Sequence, residues 1–108
     1  MIEQKVLEAF ELMWGPFPER VMLVQKNRTI VAANESARAA GAEVGIKCFT
    51  LNPTNRPGEH CKHCKANLAL QERRAVVSHE DDNKVLAYWI PLNDVEEMYV
   101  HFAIRLAN

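Results

Sequence analysis

The chain has 108 residues, 48% of them hydrophobic and 25% charged, with 13 Lys and Arg against 14 Asp and Glu for a net charge of −1. Such a chain reads as one soluble globular domain that buries roughly two thirds of its unfolded surface, with no room for a second. With no basic stripe and no run of about 18 apolar residues, nucleic acid and membrane are not expected as partners.

The opening segment carries acids where a signal peptide would carry a basic start, so a cytoplasmic location is expected. It reads as an amphipathic helix. Ile2, Val6, Ala9 and Met13 recur near helical spacing, Leu7, Phe10 and Trp14 widen the stripe, and Glu3, Gln4, Glu8 and Glu11 supply the polar face. Gly15, Pro16 and Pro18 stop it. The stripe must pack on the back of a sheet or on a second copy of itself. The boundaries expected are an N-terminal helix over 1–16 and the main domain over 17–108.

Two short apolar runs follow, over 21–25 and 29–33, separated by Lys26-Asn27-Arg28, and they predict a hairpin. Asn34 is placed to cap a short helix, Glu35 to Ala40, that Gly41 can end in a left-handed conformation. Pro53, Asn55, Pro57 and Gly58 then exclude long regular structure. A second helix is predicted from near Glu59 to Cys61 through about Arg73, with Cys61, Cys64 and Leu68 on one face. Three strands complete the chain, over 75–80, 84–92 and 97–106. In the last, Met98, Val100, Phe102, Ile104 and Leu106 alternate with Tyr99, His101, Ala103 and Arg105. Turns are assigned to Asp81-Asp82-Asn83 and Asn93-Asp94-Val95. Trp89 and Tyr88 must fall on opposite faces, one toward any cavity and the other toward the first helix. Short turns imply antiparallel pairing, so the fold class is α+β with helices covering one face.

All three cysteines, Cys48, Cys61 and Cys64, lie within one stretch of 20 residues that also holds His60 and His63. An odd, clustered set argues against a secreted disulfide scaffold and for metal or thiol chemistry in a reducing compartment. These five residues are the candidate metal ligands, for zinc or an iron–sulfur centre, and three cysteines leave either centre one thiolate short of an all-cysteine site. The same atoms have a redox reading. Two thiols in the first turn of a helix, beside Lys62 and Lys65, would feel positive potential that lowers at least one thiol pKa, and a disulfide could then form. A third reading makes the cysteines the small apolar face of a packed helix. His79 and His101 read as structural or surface residues. No phosphate loop or nucleophile elbow is present, and Glu80-Asp81-Asp82 reads as a solvated turn, so no enzymatic activity is expected.

The order of elements, with LVQKNRTIVAANESARAAG over 23–41, resembles the PAS domain. GIKCFTL over 45–51 followed by Cys-x-x-Cys looks like a subgroup of bacterial PAS sensor domains. The resemblance spans about residues 17–107. It implies a five-stranded antiparallel sheet with helices on one face, a ligand cavity between them, and a sensory signal-transduction role. It also implies a homodimer through the N-terminal helix and a signalling partner such as a histidine kinase or regulator. Domains of this kind commonly lead into an output module through a further helix, whereas here Asn108 follows the last strand. A freestanding domain acting on a partner and the sensor piece of a longer protein both remain open. The alternative is a plain protein-interaction PAS module with structural cysteines and an empty or metabolite-filled cavity.

Overall fold

The computed structural model of the chain describes residues 3–51, 61 and 64–106. Helix α1 (Gln4–Trp14) leads into a hairpin, β1 (Val21–Gln25) and β2 (Ile30–Ala33), and then the short helix α2 (Glu35–Ala39). A 3₁₀ turn over Cys48–Leu51, helix α3 (Ala66–Glu72) and the strands β3 (Val76–Glu80), β4 (Val85–Pro91) and β5 (Met98–Arg105) follow. The five strands form one antiparallel sheet in the order β2-β1-β5-β4-β3, as expected from the short turns. The last strand of the sequence is therefore the central one. Val24 pairs with Tyr99 and Leu23 with Val100, so the two rows of β5 side chains enter different cores.

Each face of the sheet has its own core. On the outer face α1 lays Phe10, with Val6, Leu7 and Trp14, against Val21, Leu23, Val100 and Phe102. The rings of Trp14, Phe17 and Tyr88 each sit 5.1–5.5 Å from that of Phe102, in stacked, tilted and edge-on arrangements. On the inner face Ala66 and Ala69 of α3 meet Val24, Val76, Ala87, Trp89 and Tyr99. Trp89 thus points inward and Tyr88 outward. A third cluster packs Ala37 of α2 and Ala42 onto Ile30 and Ala33.

Asn34 joins these layers. Its Oδ1 accepts from Ala37 N at 2.9 Å, the expected cap, and from Val21 N at 3.1 Å. Its Nδ2 donates to the carbonyls of Glu19, Phe17 and Trp14 at 2.8–3.4 Å. One fully buried amide therefore fastens the α1–β1 connection to the start of α2. Helix α2 ends as expected at Gly41, with φ +107 and paired bonds from Gly41 N to Arg38 O and from Ala42 N to Ala37 O.

Two expectations need correction. The second helix starts at Ala66 rather than near Cys61, so Cys61 and Cys64 lie ahead of its first turn. Its buried face is Ala66 and Ala69, while Leu68 is exposed, because only alanine side chains let the helix close onto the bulky Trp89 and Tyr99. The stripe of α1 is also rotated: Phe10, Val6, Leu7 and Trp14 face the sheet, while Ala9 and Met13 are exposed. Among the described residues no helix is long and apolar enough to cross a membrane.

Candidate functional site

Residues 45–48 lie along the edge of the β1–β2 hairpin. Gly45 N donates to Ile30 O, Ile30 N to Ile46 O, and Cys48 N to Arg28 O at 2.8 Å, and Thr29 bridges to Lys47. This ladder sets Cys48 beside Arg28 at the rim of the inner face. Cys48 and Cys64 then pack against the cluster holding Val24, Trp89 and Tyr99. All three cysteines are half-buried. The Cys48 thiol feels both Cys64 and Cys61, so the three are brought into one neighbourhood. His60 and His63, the other two candidate ligands, lie outside the described residues, as does Lys62. Among the described residues no three His, Cys, Asp or Glu side chains are placed to hold a metal ion.

The surroundings of Cys48 hold its thiol protonated. Burial above all, then the neighbouring Cys64 and Cys61, push its pKa from the ordinary 9.0 up to about 11, and the Arg28 guanidinium and Tyr99 hydroxyl only partly offset this. Cys48 is therefore a protonated thiol at neutral pH, not an activated nucleophile. The positive helix end invoked for the thiols begins at Ala66 instead.

Sequence reasoning missed Arg28. It occupies the hairpin turn at φ 76 and is only 4% exposed, although charged residues in turns are usually solvated. Its Nη1 donates to Lys26 O, and Nη1 and Nη2 reach Asn67 Oδ1 at 3.4 Å each. No ion pair among the described residues includes it. Tyr99, 1% exposed, brings its hydroxyl close enough to Cys48 to couple to the thiol's ionisation, and its oxygen has no hydrogen-bond partner among the described residues. Burial, first, and then Cys48 raise the Tyr99 pKa, so the phenol stays protonated. The parity of β5 did place Tyr99 with His101, but no periodicity marks a turn arginine as buried.

His101 lies further along the same face, stacked on Trp89 with ring centroids 4.8 Å apart. Its Nδ1 is 2.8 Å from the Tyr88 carbonyl oxygen, and since a carbonyl only accepts, Nδ1 carries the proton. Burial lowers its pKa below 6.5, partly offset by that carbonyl and by Glu80, so the ring is neutral. A hollow of about 180 Å³ under α2, lined by Met22, Ala37, Leu51, His101 and Ala103, lies between sheet and helices. It is smaller than the roughly 300 Å³ at which small-molecule sites begin.

No family model matches the sequence, and comparison with curated proteins gives no match either. Two solved structures match it along nearly its whole length. A sensory box sensor histidine kinase from Vibrio cholerae superposes with a TM-score of 0.62 at 18% identity, covering 95% of this chain and 90% of that one. The PAS domain of BvgS from Bordetella pertussis superposes with a TM-score of 0.53 at 14% identity, covering 94% and 82%. At such identities the likeness is one of fold.

Proposed function

We propose that this chain, which has the PAS fold, is a sensory domain whose input is the chemical state of the three-cysteine segment. The observation that carries the reading is the packing of Cys48 and Cys64 against the cluster that holds Tyr99 of the central strand, near a buried guanidinium, with Cys61 close enough to bear on the Cys48 thiol. Ligation of a soft metal suits this setting better than oxidation. A buried, protonated Cys48 is a poor nucleophile, whereas a divalent metal ion drives the proton off a thiol as it binds. Zinc or an iron–sulfur centre would take the three thiols, with His60 or His63 as a neutral further donor.

The route outward is short. Tyr99 lies between Met98 and Val100, whose side chains enter the opposite core beneath α1. A change in how the loop packs on Tyr99 shifts β5, and with it the seat of α1, as a biased two-state element would. We place the homodimer contact on α1 at Leu12 and Met13, 78% and 71% exposed, since Phe10 and its neighbours are already committed to the chain's own sheet. A signalling protein such as a histidine kinase or regulator would read the same surface. The domain boundary is taken as 1–16 and 17–108, and the location as cytoplasmic.

Hydrogen exchange of α1 and β5, with sedimentation of the same samples, tests the relay. Reduced metal-free, zinc-loaded and oxidised protein should differ in α1 protection or assembly, and a variant with Cys61→Ala and Cys64→Ala should not. Identical exchange and assembly in all states would leave the second reading, an interaction module with structural cysteines. The packing of Cys48 and Cys64 into an apolar cluster favours that alternative.

A further inference from the structure

The apolar stripe that the sequence lays along α1 is only partly used by the sheet, since Ala9 and Met13 stay exposed. With Val6 they form one wall of a groove of about 480 Å³ on the outer face, which holds Phe10 and Val100 at its floor and Val95 of the β4–β5 turn on its far side. That volume lies within the range of small-molecule sites, unlike the hollow under α2. The far wall is firmly held. Leu92 N donates to Met98 O, Arg73 Nη2 to Leu92 O and Lys26 N to Glu97 O, and Val95 packs against the outer core. Asp94 takes a left-handed φ of 61 there, which an aspartate tolerates. The polar groups that line the groove are Glu3, Lys5, Asn93 and Asp94. Glu3 and Lys5 face each other at 3.5 Å and offset one another, whereas Asp94 has no ion pair among the described residues. A mostly apolar groove with one uncompensated carboxylate is complementary to an apolar body that carries one positive charge.

We propose that this groove binds a small lipophilic ammonium compound, its aromatic or alkyl body against Ala9, Phe10 and Val95 and its charged nitrogen beside Asp94. An apolar acid would set like charges together at Asp94, and a neutral ligand would gain nothing from that carboxylate. The site is separate from the cysteine segment, which packs on the other face of the sheet. Its occupant still bears on both faces. The wall it presses is bonded to Arg73 at the end of α3 and to Lys26 in the β1–β2 turn, while the opposite wall is α1 itself. Binding therefore fixes the seat of α1 without any change at the thiols.

The test uses tryptamine as the probe and indole propionate as its acidic counterpart, each titrated into the full chain and followed by two-dimensional NMR, with sedimentation of the same samples. Tryptamine should shift the amide signals of Val6, Ala9 and Val95 saturably and bind about 5-fold tighter than indole propionate, the ratio expected of one exposed charge contact. Asp94→Asn keeps the shape of the side chain and its tolerance of that φ, and should remove the preference. Ala9→Phe fills the groove from an exposed helical position and should abolish binding of both probes with the urea midpoint near that of wild type. The variant with Cys61→Ala and Cys64→Ala should bind tryptamine as wild type does. Equal binding of the two probes, or a preference that survives Asp94→Asn, would overturn the ammonium assignment. No shifts at millimolar probe, or shifts that Ala9→Phe leaves in place, would overturn the site itself. Shifts that appear only with a change in sedimentation would give the groove to a second copy of the chain and overturn the proposal.

Discussion

The two faces of the sheet are built on opposite terms. Under α1 the outer face is apolar, with the rings of Trp14, Phe17 and Tyr88 gathered on Phe102. The inner face pairs an alanine-faced helix with a tyrosine, a histidine, a buried arginine and the thiols of Cys48 and Cys64, and both of the orphaned buried polar atoms among the described residues, Arg28 Nε and Tyr99 Oη, are there. Both faces are coated by the same strands, so the difference is not one of fold. An apolar face maximises burial, while a face with unmet polar groups gives up stability for chemistry, which is where a functional site belongs.

Truncation at the centre of each face should break this contrast open. Phe102→Ala removes the ring on which the outer aromatic cluster converges and should cost about 3–5 kcal/mol in urea unfolding. The inner counterpart, Tyr99→Phe, should cost nothing or stabilise. A loss of comparable size at both positions would erase the distinction between the faces. Asn34→Ala removes the amide that ties them together. Losing the cap costs about 1 kcal/mol, and stranding the buried Val21 N–H and the carbonyls it served adds about 1–3 more, so this variant should rank next.

Smaller effects appear as slopes against pH. The folded state keeps His101 neutral below its ordinary 6.5, while the unfolded chain takes up the proton there. The unfolded state then binds more protons, so stability should fall as pH drops below about 6.5, and His101→Gln should flatten that slope. Cys48 acts at the other end. Its folded thiol keeps the proton up to about 11 while the unfolded thiol loses it near 9.0, so stability should fall as pH rises through that window. Cys48→Ala should remove that contribution, with the slope rather than the absolute stability as the readout.

How much of this was legible in the sequence follows from where local chemistry and tertiary packing agree. The hairpin, the Asn34 cap, the Gly41 stop and the alternation of β5 all show in the sequence because each is a local demand of the backbone. The start of α3 is not legible, because Cys61, Cys64 and Leu68 mimic a helical stripe while the sheet selects Ala66 and Ala69 for their size. The thiols were recognisable as a cluster from spacing alone. Arg28 was not, because only the ladder from Gly45 to Cys48, closing on the hairpin edge from about 20 residues away, turns an ordinary turn arginine into a buried cation.

Elemental analysis of anaerobically purified protein, with its visible spectrum and a count of free thiols, tests the central claim most directly. Stoichiometric zinc or iron, lost from the variant with Cys61→Ala and Cys64→Ala, is the predicted result. A colourless, metal-free protein with three titratable thiols, unchanged in fold and assembly by added zinc or by oxidation, would contradict it.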